Sequence, residues 1–363
     1  MKIVDLIAGA RPNFMKIAPI IKEFNRLGRP DFTFRLVHTG QHYDENLSDT
    51  FFRQLNIPQP DINLRVGSGT QAQQTGSIME RYEEVLLTHP SDACLVVGDV
   101  NSTMACAITA QKLRIPVGHV EAGIRSSDWS MPEEINRLVT DSISNWFFTT
   151  SETANKNLIK SGIEKDRIFF VGNTMIDTLI ENIAKLKKPR FFEELNLISG
   201  EYFVVTLHRP SNVDIEVTIK DLLQALSKAA RGLPIIFPVH PRTAKSLNNM
   251  SKLPYNILLV EPQPYLEFNF LVKNSKAVIT DSGGITEEST VLGIPCMTLR
   301  NNTERPETVM IGTNELLGTN PSAIMPAFEK LFSGNWKKGE IPELWDGGAS
   351  ARIVSHLEKL LCI

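Results

Sequence analysis

The chain has 363 residues, of which 42% are hydrophobic and 22% charged, so two domains of ordinary globular composition are expected. The formal net charge of -3 provides no overall basic field, which argues against nucleic acid or anionic lipid as a partner. Four scattered cysteines without CxxC spacing favour a reduced, cytoplasmic protein.

The opening segment, MKIVDLIAGARPN, predicts a β-strand. Its apolar run is interrupted by Asp5 and ended by Gly9 and Pro12, so it is too short for a signal peptide or a membrane span.

Short runs rich in Val, Ile and Phe alternate with longer amphipathic stretches, and this alternation occurs in two series along the chain. The first series predicts strands at residues 2–8, 33–39, 94–98, 116–121, 145–150 and 168–172, and the second at 202–207, 234–239, 256–260, 277–280 and 295–299. Strands that alternate with helices predict parallel sheets buried on both faces. The fold class is therefore α/β, with two Rossmann-like, doubly wound domains facing a central cleft.

The charged segment KLKKPRFFEE, residues 185–194, follows a helix-like stretch between the two series and suits a connection between domains. We predict domains over residues 1–178 and 179–349, followed by a C-terminal helix at about 350–363. Ile353 and Leu357 are spaced to lie on one side of that helix, so it should pack against the protein.

Ligands of doubly wound sheets bind beyond the carboxyl ends of the strands, so the motifs at those positions carry the functional prediction. The segment AVITDSGGITEES, residues 277–289, ends a strand and begins a helix at Ser282, Gly283 and Gly284. Exposed backbone N–H groups and the helix dipole favour an anion such as a diphosphate there. Alternatively, the glycines only make a tight turn, with Glu287 and Glu288 complementing the helix N-terminus.

The first strand runs into GARPNFMK, residues 9–16, which places Arg11 at a strand-to-helix turn with Lys16 about one turn further. Arg11 could donate two parallel hydrogen bonds to phosphate oxygens. The alternative is an ordinary surface arginine beside Pro12.

Carboxylates recur at predicted strand ends and helix starts: Asp99 in GDVNST, Glu121 in GHVEAGIRS, and Glu133 with Glu134 in MPEEINR. A carboxylate held rigidly just past a buried strand is suited to proton transfer. Asp99 could instead cap a helix that begins at Asn101, and the two glutamates could occupy a first helical turn. Glu121 has no evident capping role and is the most informative of the set.

Two His/Arg pairs follow strands of the second series, His208 with Arg209 and His240 with Arg242. The sequence has no HExxH and no closely spaced DxD, so a catalytic metal is not expected. No GxGxxG follows a predicted strand, so a tightly bound nicotinamide cofactor is not expected either. We therefore predict no cofactor.

Taken together and in order, these motifs, with GNTMID at residues 172–177 and RNNTERPE at residues 300–307, resemble the non-hydrolysing UDP-N-acetylglucosamine 2-epimerases. The resemblance covers nearly the whole chain. It implies the glycosyltransferase-B architecture, a C-terminal helix that returns to the N-terminal domain, a homodimer and a role in cell-surface polysaccharide biosynthesis.

The resemblance also implies roles for individual residues of a UDP-sugar site. It matches Asp99, Glu121, Glu133 and His208 to the catalytic set, Glu288 to the ribose hydroxyls and Phe268 to the uridine region. The remaining residues implied to bind substrate are Arg11, Lys16, Arg137, Ser282, Gly283, Gly284 and Arg305. The implied reaction eliminates UDP to leave 2-acetamidoglucal and re-adds UDP after C2 is protonated on the opposite face.

Three positions depart from the pattern of the family. Asn13 stands where a glutamate is common, and Pro210 and Ser211 stand where relatives have a basic residue followed by a glutamate. In bacterial relatives the basic position contributes to a regulatory substrate site, so weak or absent substrate activation is expected. A hydrolysing relative, a glycosyltransferase of the same architecture and a non-catalytic nucleotide-sugar-binding module remain alternatives.

Overall fold

The computed structural model describes residues 1–40, 52–239, 241–247 and 253–362. His240 lies outside this part of the chain, and so do the side chains of Arg11 and Arg242. Two compact units form, one from Met1 to Glu181 that also includes the chain from Glu343 onward, and one from Asn182 to Pro342.

The first unit contains a seven-stranded parallel sheet in the order β3-β2-β1-β4-β5-β6-β7. Its strands are β1 Lys2–Ala8, β2 Phe32–His38, β3 Ile62–Asn63, β4 Ala93–Val97, β5 Val117–Val120, β6 Trp146–Thr149 and β7 Ile168–Phe170. Its helices are α1 Arg11–Leu27, α2 Gln71–Thr88, α3 Asn101–Lys112, α4 Pro132–Ile143, α5 Glu152–Lys160 and α6 Thr174–Asn182, with a C-terminal helix Ala349–Leu360 and a 3₁₀ turn Lys165–Arg167.

The second unit contains a six-stranded parallel sheet in the order β10-β9-β8-β11-β12-β13. Its strands are β8 Phe203–Thr206, β9 Ile235–Pro238, β10 Ile257–Val260, β11 Ala277–Thr280, β12 Cys296–Thr298 and β13 Asn314–Leu316. Its helices are α7 Phe191–Glu194, α8 Pro210–Val213, α9 Glu216–Ala229, α10 Pro241–Leu247, α11 Tyr265–Lys273, α12 Gly283–Leu292, α13 Pro306–Met310 and α14 Ile324–Phe332, with 3₁₀ turns Ile183–Lys185 and Pro321–Ala323.

These sheets confirm the predicted pair of doubly wound α/β units, because in each the strand order reverses beside the first strand of its series. The eleven predicted strands all form, with ends within two residues of their predicted positions. Two strands were missed, Ile62–Asn63 and Asn314–Leu316. Both are short edge strands that carry polar residues, so they lack the apolar run by which a buried parallel strand is recognised.

The C-terminal helix packs within the first unit. Asp177 of α6 accepts hydrogen bonds from the backbone N–H groups of Ala349 (3.1 Å) and Ser350 (2.7 Å), which caps the start of the helix. Ile353 and Leu357 are buried on the side that the sequence spacing predicts. Among the described residues, no helix is both long enough and apolar enough to cross a membrane.

A buried ion pair lies inside the first sheet, where the sequence shows Asp5 interrupting an apolar strand. Arg35 of β2 donates two hydrogen bonds to the Asp5 carboxylate, at 2.7 and 2.8 Å, and the hydroxyl of Tyr82 donates a third at 2.8 Å. Asp5 is fully buried, so its charge depends on these donors rather than on water.

We expect Arg35→Met to lower the free energy of unfolding by about 3 to 5 kcal/mol, because it leaves the Asp5 charge buried without its cation. Urea denaturation of the purified variant measures this change. The double variant Asp5→Asn/Arg35→Met should regain much of the loss, since no uncompensated charge then remains. Equal destabilisation of the single and double variants would contradict the electrostatic explanation.

Candidate active site

The carboxyl ends of β1, β4 and β5 lie side by side in the first sheet and bring together residues that are far apart in the sequence. Gly9 follows β1, Gly98 follows β4 and Glu121 follows β5. A strand order that reverses between β1 and β4 opens a crevice at this edge, which is where ligands of doubly wound sheets bind.

Glu121 is a buried carboxylate with a cationic partner. Its Oε2 lies 2.6 Å from Nζ of Lys16, which is also buried. The backbone of Glu121 has φ +69°, a conformation that costs a non-glycine residue about 1 to 2 kcal/mol. The fold maintains this conformation partly through a hydrogen bond of 3.0 Å from the Glu121 N–H to the Phe148 carbonyl. Such strain at a strand end is typical of functional positions.

Gly98 touches the Lys16–Glu121 pair from the neighbouring strand and was not singled out from the sequence. Its φ is +70°, and a Cβ at this position would lie 3.1 Å from Nζ of Lys16, 3.6 Å from Nδ2 of Asn13 and 3.7 Å from Oε2 of Glu121. Because a side chain here would crowd Nζ of Lys16 and would have to adopt a left-handed backbone, the position favours glycine for both its backbone and its space.

Asp99 lies beside a second cation at the same edge. Its carboxylate accepts hydrogen bonds from Nε (3.1 Å) and Nη2 (2.6 Å) of Arg137, a residue of α4. The alternative that Asp99 caps a helix is wrong, because the N-cap of α3 is Val100 and has no side-chain cap. Asp99 therefore keeps its carboxylate next to a guanidinium rather than on a helix end.

The two neighbouring glutamates of α4 occupy its first turn, as expected, but have different surroundings. Glu134 is buried and accepts hydrogen bonds from the N–H groups of Ser126 (2.9 Å) and Ser127 (3.0 Å) and from Arg137 (2.6 Å). Burial opposes its ionisation, but these donors hold the pKa of Glu134 below its usual value. Glu133 is half-buried, and its carboxylate has no ion pair or hydrogen bond to the described residues. Glu134 thus shapes the loop, whereas Glu133 remains available to a ligand.

Asn13, the first departure from the family pattern, organises the turn after β1. Its Oδ1 accepts hydrogen bonds from the N–H groups of Gly9 (3.2 Å) and Ala10 (3.0 Å), and its Nδ2 donates to the Val97 carbonyl at 2.9 Å. An amide suits this position because it both accepts and donates, which an ionised carboxylate does not do.

In the second unit, Asp281 follows β11 and binds the segment that follows the neighbouring strand β8. It accepts hydrogen bonds from the N–H groups of His208 (3.0 Å) and Arg209 (2.9 Å) and from Nδ2 of Asn212 (3.0 Å), and its Oδ1 lies 2.8 Å from Nδ1 of His208. Burial opposes the charge, but the bond and charge of His208 lead the contributions that lower the pKa of Asp281. Asp281 therefore orients the His208 ring, of which 39% of the side chain is exposed.

The helix α12 begins directly after Ser282, with Gly283 and Gly284 as its first residues. All three are half-buried, and no side chain caps this N-terminus. The first backbone N–H groups of a helix lack partners within it, so an anion can bind them.

The alternative that Glu287 and Glu288 complement the start of α12 is wrong. Both lie beyond the first turn and are buried, Glu287 in an ion pair with Arg305 and Glu288 at 3.4 Å from Nδ2 of Asn269. Arg305 is thus held inside the unit by Glu287. Phe268 is half-buried on α11 and packs against the apolar core.

Each unit therefore presents polar groups at the carboxyl ends of its central strands. The first offers carboxylates beside cations, and the second offers a helix N-terminus beside an oriented histidine. In the described part of the chain, no three His, Cys, Asp or Glu side chains are arranged to hold a metal ion.

Comparison with known proteins finds relatives that match nearly the whole chain and agree with one another. A family model described as UDP-N-acetylglucosamine 2-epimerase matches residues 25–358. A UDP-N-acetylglucosamine 2-epimerase of Methanocaldococcus jannaschii is 43% identical over 366 residues, covering 98% of each protein. A UDP-2,3-diacetamido-2,3-dideoxy-D-glucuronate 2-epimerase of Pseudomonas aeruginosa is 37% identical, covering 99% of this chain and 100% of the relative.

Solved structures agree with these relatives. The crystal structure of the M. jannaschii UDP-GlcNAc 2-epimerase in complex with UDP-GlcNAc and UDP superimposes with a TM-score of 0.89 at 41% identity, covering 99% of this chain and 100% of the other. The resemblance inferred from the sequence motifs is confirmed. The chain is an isomerase that belongs to the UDP-N-acetylglucosamine 2-epimerase family.

Proposed function

We propose that this enzyme interconverts UDP-N-acetylglucosamine and UDP-N-acetylmannosamine without hydrolysis, by eliminating UDP and adding it back. The observation that carries the proposal is the buried Lys16–Glu121 pair beside the half-buried Asp99–Arg137 pair at adjoining strand ends. The family of the chain supports the choice of substrate.

The reaction needs an indirect route because the C2 proton of the sugar is not next to a carbonyl group. Cleavage of the C1–O bond to UDP builds positive charge at C1 and makes the C2 proton more acidic. A base removes that proton, the C2–H electrons form the C1–C2 double bond, and UDP leaves with the C1–O electrons. In the return step, a proton adds to C2 from the opposite face while a UDP oxygen bonds to C1.

This cycle requires acid/base groups for both faces of the sugar. We assign these transfers to Asp99, Glu121 and Glu133, without dividing them between the faces. Glu121 and Asp99 each lie beside a cation at adjoining strand ends. Glu133 is half-buried and so can reach a ligand.

The leaving diphosphate requires groups that stabilise its negative charge as it forms. We assign this task to His208, Arg11 and the N-terminus of α12 at Ser282, Gly283 and Gly284. His208 suits it because Asp281 fixes its ring while leaving part of it exposed. For the remaining groups we propose that Lys16, Arg137 and Arg305 support substrate binding, Glu288 binds the ribose and Phe268 lies near uridine.

The Pseudomonas relative favours a second candidate substrate, since a protein 37% identical over the whole chain is named for a diacetamido glucuronate sugar. The elimination chemistry at C1 and C2 would be the same. Only the groups at C3 and C5 of the sugar would differ.

Proton NMR of UDP-N-acetylglucosamine in deuterated buffer tests the proposal, without added metal or nicotinamide. We expect UDP-N-acetylmannosamine to appear with deuterium at C2. Free N-acetylmannosamine with an equal amount of UDP would show that the enzyme hydrolyses its substrate instead. An unchanged spectrum would reject this substrate, and the diacetamido glucuronate sugar would be tested next.

The family resemblance also underlies the proposal that the enzyme acts as a cytoplasmic homodimer in cell-surface polysaccharide biosynthesis. Light scattering during gel filtration measures the oligomeric state. A measured mass equal to that of one chain, which is 40.6 kDa, would contradict the dimer.

A further inference from the structure

His119 is a fully buried histidine of β5 that touches oxygen atoms with both of its ring nitrogens. Nδ1 lies 2.7 Å from Oδ1 of Asp141, a residue of α4, and Nε2 lies 2.8 Å from the carbonyl oxygen of Gly98. The side chain is 0% exposed, so water supplies neither nitrogen with a partner.

The chemistry of these two oxygen atoms restricts the protons on the ring. A carbonyl oxygen only accepts hydrogen bonds, so Nε2 must carry a hydrogen. Burial opposes ionisation of Asp141, but the hydrogen bond and charge of His119, followed by those of Arg125, lower the pKa of the carboxyl below its usual value. The ring is therefore attached at both ends, to the Gly98 peptide after β4 through Nε2 and to α4 through Nδ1.

Asp141 connects the His119 ring to the segment after Glu121. Its second oxygen, Oδ2, accepts hydrogen bonds from the N–H of Gly123 at 3.1 Å and from Nη1 of Arg125 at 2.6 Å. The carboxylate thus lies between the His119 ring and the Arg125 guanidinium, with the backbone of the strand-end loop attached to it.

On its other side, His119 bonds to Gly98, which lies beside the Lys16–Glu121 pair. Gly98 accepts from Nε2 through its carbonyl and donates its N–H to the Val120 carbonyl at 3.0 Å. Both polar groups of the Gly98 backbone are therefore attached to β5. Asp99 is the next residue, so the orientation of the Gly98 peptide determines the position of the Asp99 side chain.

We propose that His119 is a positioning residue which, by bonding to the Gly98 carbonyl and the Asp141 carboxylate, holds the strand ends carrying Asp99 and Glu121 in register with each other. This inference rests on the proposed function, because those two carboxylates are the groups assigned to proton transfer. His119 itself is too deeply buried to touch the substrate. Its effect is on the geometry of the reacting groups, and a displacement of about 1 Å there can cost about 100-fold in rate.

The hydrogen bond to Gly98 is tested first, on the intact enzyme, by NMR of protein labelled with ¹⁵N in histidine. His119→Gln identifies the resonances of this ring. We expect Nε2 of His119 to show a one-bond coupling to hydrogen, because it donates to the Gly98 carbonyl. A bare Nε2 would overturn the inference, and this readout does not depend on which sugar the enzyme uses.

Two amide variants then separate the two hydrogen bonds in turnover measurements. Glutamine can place its Nε2 near the position of the imidazole Nε2 and keep the bond to Gly98, whereas asparagine can reach only Asp141. We expect His119→Asn to lower kcat by about 100-fold, with little change in KM, and His119→Gln to retain more activity. Equal loss in both variants, or a loss confined to KM, would overturn the positioning role.

Tyr82→Phe is the matched control, because it also removes a buried hydrogen bond to a carboxylate in the same sheet, away from the strand ends. It should keep kcat nearly unchanged even where its melting temperature falls as far as that of the histidine variants. A wild-type enzyme inactive on UDP-N-acetylglucosamine would count against the proposed function, while the NMR result would still decide the state of His119.

Discussion

Glu121→Gln is expected to lower the turnover of UDP-N-acetylglucosamine by about 10²- to 10⁴-fold, which is the usual contribution of a positioned acid/base group. The amide is nearly the same size as the carboxylate but cannot take up the C2 proton. Exchange of that proton with deuterated solvent should stop, while UDP binding remains largely intact because the diphosphate contacts are assigned to other residues. NMR of the substrate measures exchange, and calorimetry measures UDP binding.

The control for this variant must account for the buried Lys16, which loses its anionic partner at the same time. Asp5→Asn is suitable, because it removes a carboxylate from another buried ion pair in the same unit. It should lose stability but keep C2 exchange. Exchange that continues in Glu121→Gln would remove Glu121 from the mechanism.

Gly98→Ala should lower turnover by about 100-fold, although the change adds a single methyl group. The new Cβ would lie 3.1 Å from Nζ of Lys16, so the lysine must move by a few tenths of an ångström, which alters its ion pair with Glu121. The left-handed backbone at φ +70° adds a cost of about 1 to 2 kcal/mol. Steady-state kinetics and thermal unfolding separate these two effects.

Gly293→Ala provides a control with the same backbone strain. Gly293 also has φ +70°, but a Cβ there would meet nothing within 4 Å. This variant should lose a comparable amount of stability and retain its activity. If both alanine variants lose activity equally, crowding of Lys16 is not the cause.

Local patterns in the chain were enough to predict most of the fold. Runs such as Ala277–Thr280 are apolar throughout, as strands buried on both faces must be, and proline or glycine marks where they end. Proline at the start of Pro132–Ile143 and glycine at the start of Gly283–Leu292 likewise placed those helices. Edge strands such as Asn314–Leu316 were not predicted. An edge strand pairs with a neighbour on one side only, so it need not be apolar throughout.

The candidate site could be located from the same patterns, because every strand end in a parallel sheet is a potential ligand position. Glu121 and Ser282 were found in this way. The pairing of site residues was not predicted, since Lys16 lies 105 positions from Glu121 and His208 lies 73 positions from Asp281. No periodicity or turn signal links residues so far apart.

The amino-acid sequence alone therefore established the α/β class, eleven of the strands, the strand-end motifs and the family. The three-dimensional arrangement was needed to show that Lys16 neutralises Glu121, that Gly98 leaves room for this pair and that His119 bridges Gly98 and Asp141. The physical reason is that hydrophobic periodicity and turn chemistry act over a few residues, whereas an ion pair or a close contact depends on the order of strands in the sheet. That order is set by the packing of the whole unit.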